Sequence, residues 1–168
     1  MAVRSLCIEP DPALRGVARR VEAFTKDLQC VARDMIDTMY ANDGIGLAAP
    51  QVGVDLAVFV ANPSQERGRE LVVVNPELEH AAGRSAIVEG CLSLPNVWDR
   101  VRRSASVRVT GYDVTGRRFS VEAGGLLAIV LQHEYDHLHG QLFIDRLSWL
   151  RRRRALRKLK ATPNRRAS

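Results

Sequence analysis

Apolar side chains near the start of the chain recur at helical spacing: Val17, Val21, Phe24, Leu28, Val31, Met35, Ile36 and Met39 mostly stand three or four residues apart. Asp11 before Pro12 is a helix-start signal, because an aspartate accepts from the first free N–H groups and proline has none to offer. One long or broken helix is therefore predicted to fill the first quarter. Asn42, Asp43, Gly44 and Gly46 end it, and a glycine-rich loop continues to Pro50 and Gly53. The pattern then changes. Segments 54–60, 71–74, 77–88, 106–112 and 118–122 are short, β-branched or alternating, and are separated by Pro, Gly and Asn, which predicts strands. The turn at 113–116 predicts an antiparallel hairpin from the last two. From 125 to 139 the helical period returns, with Gly140 where a C′ glycine belongs, and 149–159 forms a last helical stretch. Helix, clustered strands, helix, helix is the order of an α+β fold, since no helices stand between the strands to cross a parallel sheet. No repeat or Pro/Ser linker divides the chain, so residues 1–148 are expected to form one body and 149–168 a basic C-terminal helix or tail.

Composition changes this picture little. A chain of 168 residues with 46% hydrophobic and 26% charged residues is an ordinary globular domain, neither disordered nor collagenous. The longest apolar runs, such as 126–131, fall far short of the roughly 20 residues of a bilayer span, and the first residues lack the apolar stretch of a secretory leader. A soluble, unexported protein is expected, in the cytoplasm. Three cysteines, Cys7, Cys30 and Cys91, form no C-x-x-C pair, which argues against a disulfide framework or a zinc ribbon and for a reducing compartment. Charge adds more. No acidic residue follows Asp145, whereas ten of the 25 Lys and Arg do, giving the tail +10 and leaving residues 1–145 at −4. A one-sided basic segment suits a polyanionic partner such as RNA, with a solvated surface as the alternative. Neither a membrane nor DNA is expected as a partner.

Chemistry enters at His133, Glu134 and His137, which spell H-E-x-x-H. On a helix, positions i and i+4 lie about 40° apart around the axis and about 6 Å along it, so two imidazoles can meet at one ion. Glu134 sits one residue round, where its carboxylate can serve water at the ion without binding the ion. The alternative is a surface helix with two solvated histidines. A catalytic ion usually has three protein ligands. A carboxylate downstream is excluded, and the longer pattern ending in a third histidine fails because Phe143 stands at that position. His139 lies about 240° around the helix from His133, and His80 is isolated, so neither is expected to take part. Cys30 falls in the apolar period of the first helix and reads as a small buried hydrophobe. Cys91 stands among Gly90, Pro95 and other breakers of regular structure, free to aim a sulfur at a neighbouring helix or to be a buried structural thiol.

Three segments together resemble one family, the peptide deformylases. Gly44-Ile45-Gly46-Leu47-Ala48-Ala49-Pro50-Gln51 is similar to its first motif, Glu89-Gly90-Cys91-Leu92-Ser93 to its second, and Gln132-His133-Glu134-Tyr135-Asp136-His137 to its third. Order and spacing agree, and the likeness runs over 10–149. The resemblance implies antiparallel sheets packed around a central helix carrying H-E-x-x-H. It implies removal of the N-formyl group from the N-terminal methionine of nascent polypeptides, with release of formate. It also implies one divalent ion held by Cys91, His133 and His137, Fe²⁺ in the cell, with Zn²⁺, Ni²⁺ or Co²⁺ accepted by the same ligands. Glu134 is then general acid and base, and the Gln51 amide and the Leu92 N–H stabilise the oxyanion. Ile45, Ile87, Leu126 and Ile129 are expected around the methionine side chain, with bare backbone at Ile45, Gly46 and Gly90 pairing with an extended peptide. Glu89 and Arg103 are expected to form an ion pair. Trp98 and Tyr135 depart from the usual pattern without touching a ligand position. Other expectations from the residues are an amidohydrolase for a different N-acyl substrate, and an RNA- or ribosome-binding protein whose basic tail docks on rRNA.

Overall fold

In the computed structural model, which describes residues 2–161, seven strands and three helices form two antiparallel sheets around a central helix. The helices are α1 (Lys26–Ala41), α2 (Gly125–Leu138) and α3 (Trp149–Ala161). The larger sheet runs in the order β1 (Gly46–Ala48), β2 (Val58–Ala61), β3 (Leu71–Ala82), β6 (Ser106–Tyr112), β7 (Arg118–Gly124). The smaller one is the hairpin of β4 (Ser85–Cys91) and β5 (Leu94–Arg103). This is the expected α+β arrangement. The predicted β6–β7 hairpin is present, its turn tied by Asp113 Oδ1, which accepts from the N–H groups of Thr115 and Arg117.

Several elements differ from the sequence reading, each for a local reason. Helix α1 starts only at Lys26, where Thr25 Oγ1 accepts from Leu28 N at 3.3 Å. The residues before it run extended, because Asn75 holds both the N–H and the carbonyl of Val21 at 2.8 Å and Ala18 N donates to the Leu138 carbonyl. Asp11 does cap a helical turn, but that turn is the single 3-10 stretch Pro12–Arg15. The predicted strand 54–60 pairs only from Val58 onward. The predicted strand 77–88 is two strands in different sheets, broken at Gly83, whose φ of +66° suits glycine. Strand β5 and the three-residue β1 were not expected. Cys30 is exposed rather than buried, with Arg33 Nη2 donating to its sulfur at 3.1 Å.

Helix α2 is apolar on several sides, as befits a helix inside the molecule. Ala128, Ile129, Val130 and Leu131 are all buried, and α2 packs against both β1–β2 and β6–β7. Gln132 pins it at one edge: its Oε1 accepts from Ser104 N and its Nε2 donates to Ser104 O and Ala128 O. The helix ends as predicted, at Gly140 with φ +68°, where a side chain would collide with the Arg15 carbonyl oxygen. Helix α3 turns Ala155, Leu156 and Leu159 onto Leu94, Val97 and Val101 of β5. The fold thus fixes α2 between the two sheets, with the β4–β5 hairpin beside it.

Candidate metal centre

The two sheet edges nearest α2 carry the glycines of the first two motifs. Among the described residues, β1 pairs only with β2, and β4 pairs only with β5. Between them lies a cleft of about 1450 Å³ lined by Gly46, Gln51, Gly90, Cys91, His133 and Glu134. The wall also includes Ile45, Ile87, Leu92, Leu126 and Ile129. Every residue singled out for the site, other than His137, therefore borders one cavity, and His137 is buried behind it.

Cys91 at the end of β4 and the two histidines of α2 converge. The Cys91 sulfur stands 3.2 Å from His137 Nε2, which stands 3.2 Å from His133 Nε2. The three ligand atoms lie within 4.8 Å of one another. For an ion with metal–nitrogen bonds near 2.0–2.1 Å and a metal–sulfur bond near 2.3 Å, tetrahedral ligands stand roughly 3.3–3.6 Å apart. The donor set therefore fits a divalent cation. His133 Nδ1 donates to Glu89 Oε2 at 2.8 Å, which fixes the ring and turns its Nε2 toward Cys91 and His137. Burial works against a charge on His133, yet Cys91 and Glu89 hold its imidazole up at about 10. A cation bound at Nε2 would take the place of that proton. His137 has no such partner: burial, then the positive charges of His133 and Arg103, pushes it well below its ordinary value. It stays a neutral donor.

Glu134 is oriented by exclusion. It is 3% exposed, and Oε2 has no hydrogen-bond partner among the described residues. A Cβ on Gly46 would lie 2.3 Å from its Oε1, so only glycine leaves room for this carboxylate. Burial raises Glu134 to about 7, against the pull of the His133 and Arg103 cations. A carboxylate in that range can both take and return a proton near neutrality. Gln51 is buried with its amide fixed at both ends. Oε1 accepts from Ala48 N at 2.8 Å, and Nε2 faces Cys91 Sγ at 3.4 Å and Ser93 Oγ at 3.2 Å. Its side chain thus closes the loop after β1 and ties it to Cys91 and Ser93 at the wall of the cleft. Leu92 begins the turn between β4 and β5, its side chain packed on the α1 cluster.

Behind the cleft lies an ion network that spacing alone did not reveal. Arg103 is fully buried and bidentate on Glu89, with contacts of 2.7 and 2.9 Å, and also donates to Asp136 Oδ2 at 2.6 Å. Burial opposes a charge on Glu89, but Arg103 and His133 hold it near 2. Arg146 closes the network on Asp136. The Glu89–Arg103 pair was expected. Asp136 and Arg146 were not, although an acid inside a buried H-E-x-x-H helix is itself a signal that a cation must meet it. His139 donates to its own helix at the Tyr135 carbonyl and His80 sits on β3, both apart from the three-ligand group.

Residues 3–153 match the Polypeptide deformylase family. The chain belongs to the peptide deformylases. It is 45% identical over 160 residues to a curated peptide deformylase of Alkalilimnicola ehrlichii, covering 95% of this chain and 90% of that protein. A crystal structure of a peptide deformylase from Legionella pneumophila superposes with a TM-score of 0.92 at 44% identity, covering 95% of both chains. One from Synechococcus elongatus, in complex with actinonin, gives 0.88 at 42%, covering 92% of this chain and 86% of that one. The enzyme is a hydrolase that removes the N-formyl group from nascent polypeptides, and a Cys/His/His site for a divalent metal ion lies in its cleft.

Proposed function

We propose that Cys91, His133 and His137 hold one divalent ion, Fe²⁺ in the cell, and that Glu134 moves the proton in hydrolysis of the formyl amide. The observation that carries this reading is the convergence of one sulfur and two imidazole nitrogens within 4.8 Å, beside a buried carboxylate oxygen with no partner. An ion held there would supply Lewis-acid polarisation and would acidify water. Glu134 Oε2 takes the proton of the attacking water and passes it to the departing amine, which is the leaving group that must be protonated. As charge develops on the formyl oxygen, the Gln51 Nε2–H and the Leu92 backbone N–H stabilise it more than they stabilise the bound substrate. Glu89 keeps the His133 ring in the tautomer that presents Nε2.

The substrate lies extended between the free edges of β1 and β4, paired with backbone at Ile45, Gly46 and Gly90, a mode that accepts many sequences. Its methionine side chain enters the apolar lining formed by Ile45, Ile87, Leu126 and Ile129. Zn²⁺, Ni²⁺ and Co²⁺ suit the same ligands, so availability and oxygen exposure decide which is bound. Along the chain, residues 1–148 carry the chemistry and 149–168 the basic segment, which docks on rRNA near the emerging peptide in the cytoplasm. Purified enzyme is expected to release formate from formyl-Met peptides and to leave acetyl-Met peptides intact. Glu134→Ala abolishes turnover while elemental analysis still finds the ion. Turnover that survives this change contradicts the proton path, and equal hydrolysis of acetyl-Met peptides contradicts the formyl assignment.

A further inference from the structure

We infer that Trp98 is a specificity-determining residue: with Val88 it forms an apolar platform for the side chain that follows the formylated methionine, favouring large apolar or aromatic residues there. The inference rests on the proposed pairing of substrate with the β4 edge and adds a preference to it.

Trp98 and Gly90 are register partners across the β4–β5 hairpin. The Trp98 ring lies over its partner: a Cβ on Gly90 would stand 2.3 Å from Cζ3 and 2.4 Å from Cε3. The indole therefore crosses β4 toward its free edge, over the one residue type that leaves the way open. It does so without being buried. Trp98 is 65% exposed and Val88, on the same face two residues along, is 63% exposed, and both line the cleft. Glu89 between them is buried on the opposite face, with Ile87. An extended peptide added at the β4 edge shares its pleat, so successive side chains leave it on opposite faces. If the methionine enters the face of Ile87, the next side chain emerges on the face of Val88 and Trp98. An indole with one side covered by backbone and the other open is suited to stacking or apolar contact. Arg100, the register partner of Val88, borders this platform and offers the competing attraction for an acidic side chain.

The test compares formyl-Met-X-Ser peptides with X as Phe, Leu, Gly or Asp in a formate-release assay on the metal-loaded enzyme. The expected result is a kcat/KM about three- to tenfold higher for Phe than for Gly, residing in KM, the range of one aromatic contact. Trp98→Ala is expected to bring that ratio to about one, and Trp98→Phe to restore most of it. A ratio near one in the unaltered enzyme, a preference for Asp, or an unchanged ratio in Trp98→Ala overturns the inference. Each of those results, obtained with formate still released, leaves the proposed catalytic site standing. Absence of formate from every peptide refutes that site and this platform together.

Discussion

At Gly46 a single methyl group separates the Glu134 carboxylate as it stands from a displaced one. Its Cβ would meet Glu134 Oε1 at 2.3 Å and Val130 Cγ1 at 2.9 Å, and Val130 is a buried core residue with little room to yield. The carboxylate must then swing. Gly46→Ala is expected to lower kcat by at least about 100-fold, the scale of loss when a reacting group moves by an ångström, while the bound metal stays at the wild-type level. Steady-state kinetics beside elemental analysis checks this, and full activity would mean that Glu134 is not held by this contact. At the same scale, His133, Glu134 and His137 could be read from spacing because one helix carries all three. Cys91 could not be read so directly, since its approach depends on where the β4–β5 hairpin folds. Asp136 and Arg146 escaped altogether: their meeting with Arg103 joins α2, β5 and the Phe143–Arg146 turn, and no local period records it.

Among the elements, the two ends of the chain behave differently from their patterns. The apolar period from Val17 through Phe24 suits a helix, but side-chain and backbone bonds from Asn75, Leu138 and Ala57 claim that backbone first. Tertiary pairing outweighs propensity there. Strand β5 was hidden for the opposite reason. After Asn96, with φ +61°, it turns Val97, Val101 and Arg103 inward, and Asp99, Arg100, Arg102 and Arg103 stand among these positions, so charge masks the period. Helix α3 docks on this strand through Leu156 and Leu159 and through an ion pair of Arg151 with Asp99. The Arg151 hydrogen bond holds the Asp99 carboxyl below its ordinary range, so the pair stabilises docking above the unfolded carboxylate pKa. That contribution is lost as pH falls through the depressed value. Both partners are partly exposed, which limits it to under about 1 kcal/mol. Hydrogen exchange of the α3 amides is expected to quicken relative to α2 as pH falls below the ordinary carboxylate range, and Asp99→Asn is expected to remove that difference. A variant that keeps the full pH dependence would show that the pair does not govern docking.

For the whole molecule, charge and chemistry are separated along the chain. The acidic body holds the cleft, and the basic excess sits on and beyond α3. Deleting α3 would strip the cover from Leu94, Val97 and Val101, so the tail is better tested by its outward charges. Arg154 and Arg157 are exposed and turned away from the side on which Ala155, Leu156 and Leu159 pack. Replacing both with Gln is expected to weaken ribosome binding and to lower its salt dependence by about two counterions, with hydrolysis of short formyl peptides unchanged. Binding with the same salt slope would contradict docking through this helix. Fold class was legible because strands cluster between helices, and the site was legible in outline because three short motifs carry it. What the sequence left hidden is how a two-stranded hairpin brings the Cys91 sulfur to His133, 42 residues further on. That junction is the centre of the account. X-ray absorption at the metal edge of anaerobically purified enzyme tests it most directly: one sulfur and two imidazole nitrogens are expected around a single ion. A shell of nitrogen and oxygen alone, unchanged in Cys91→Ala, would contradict it.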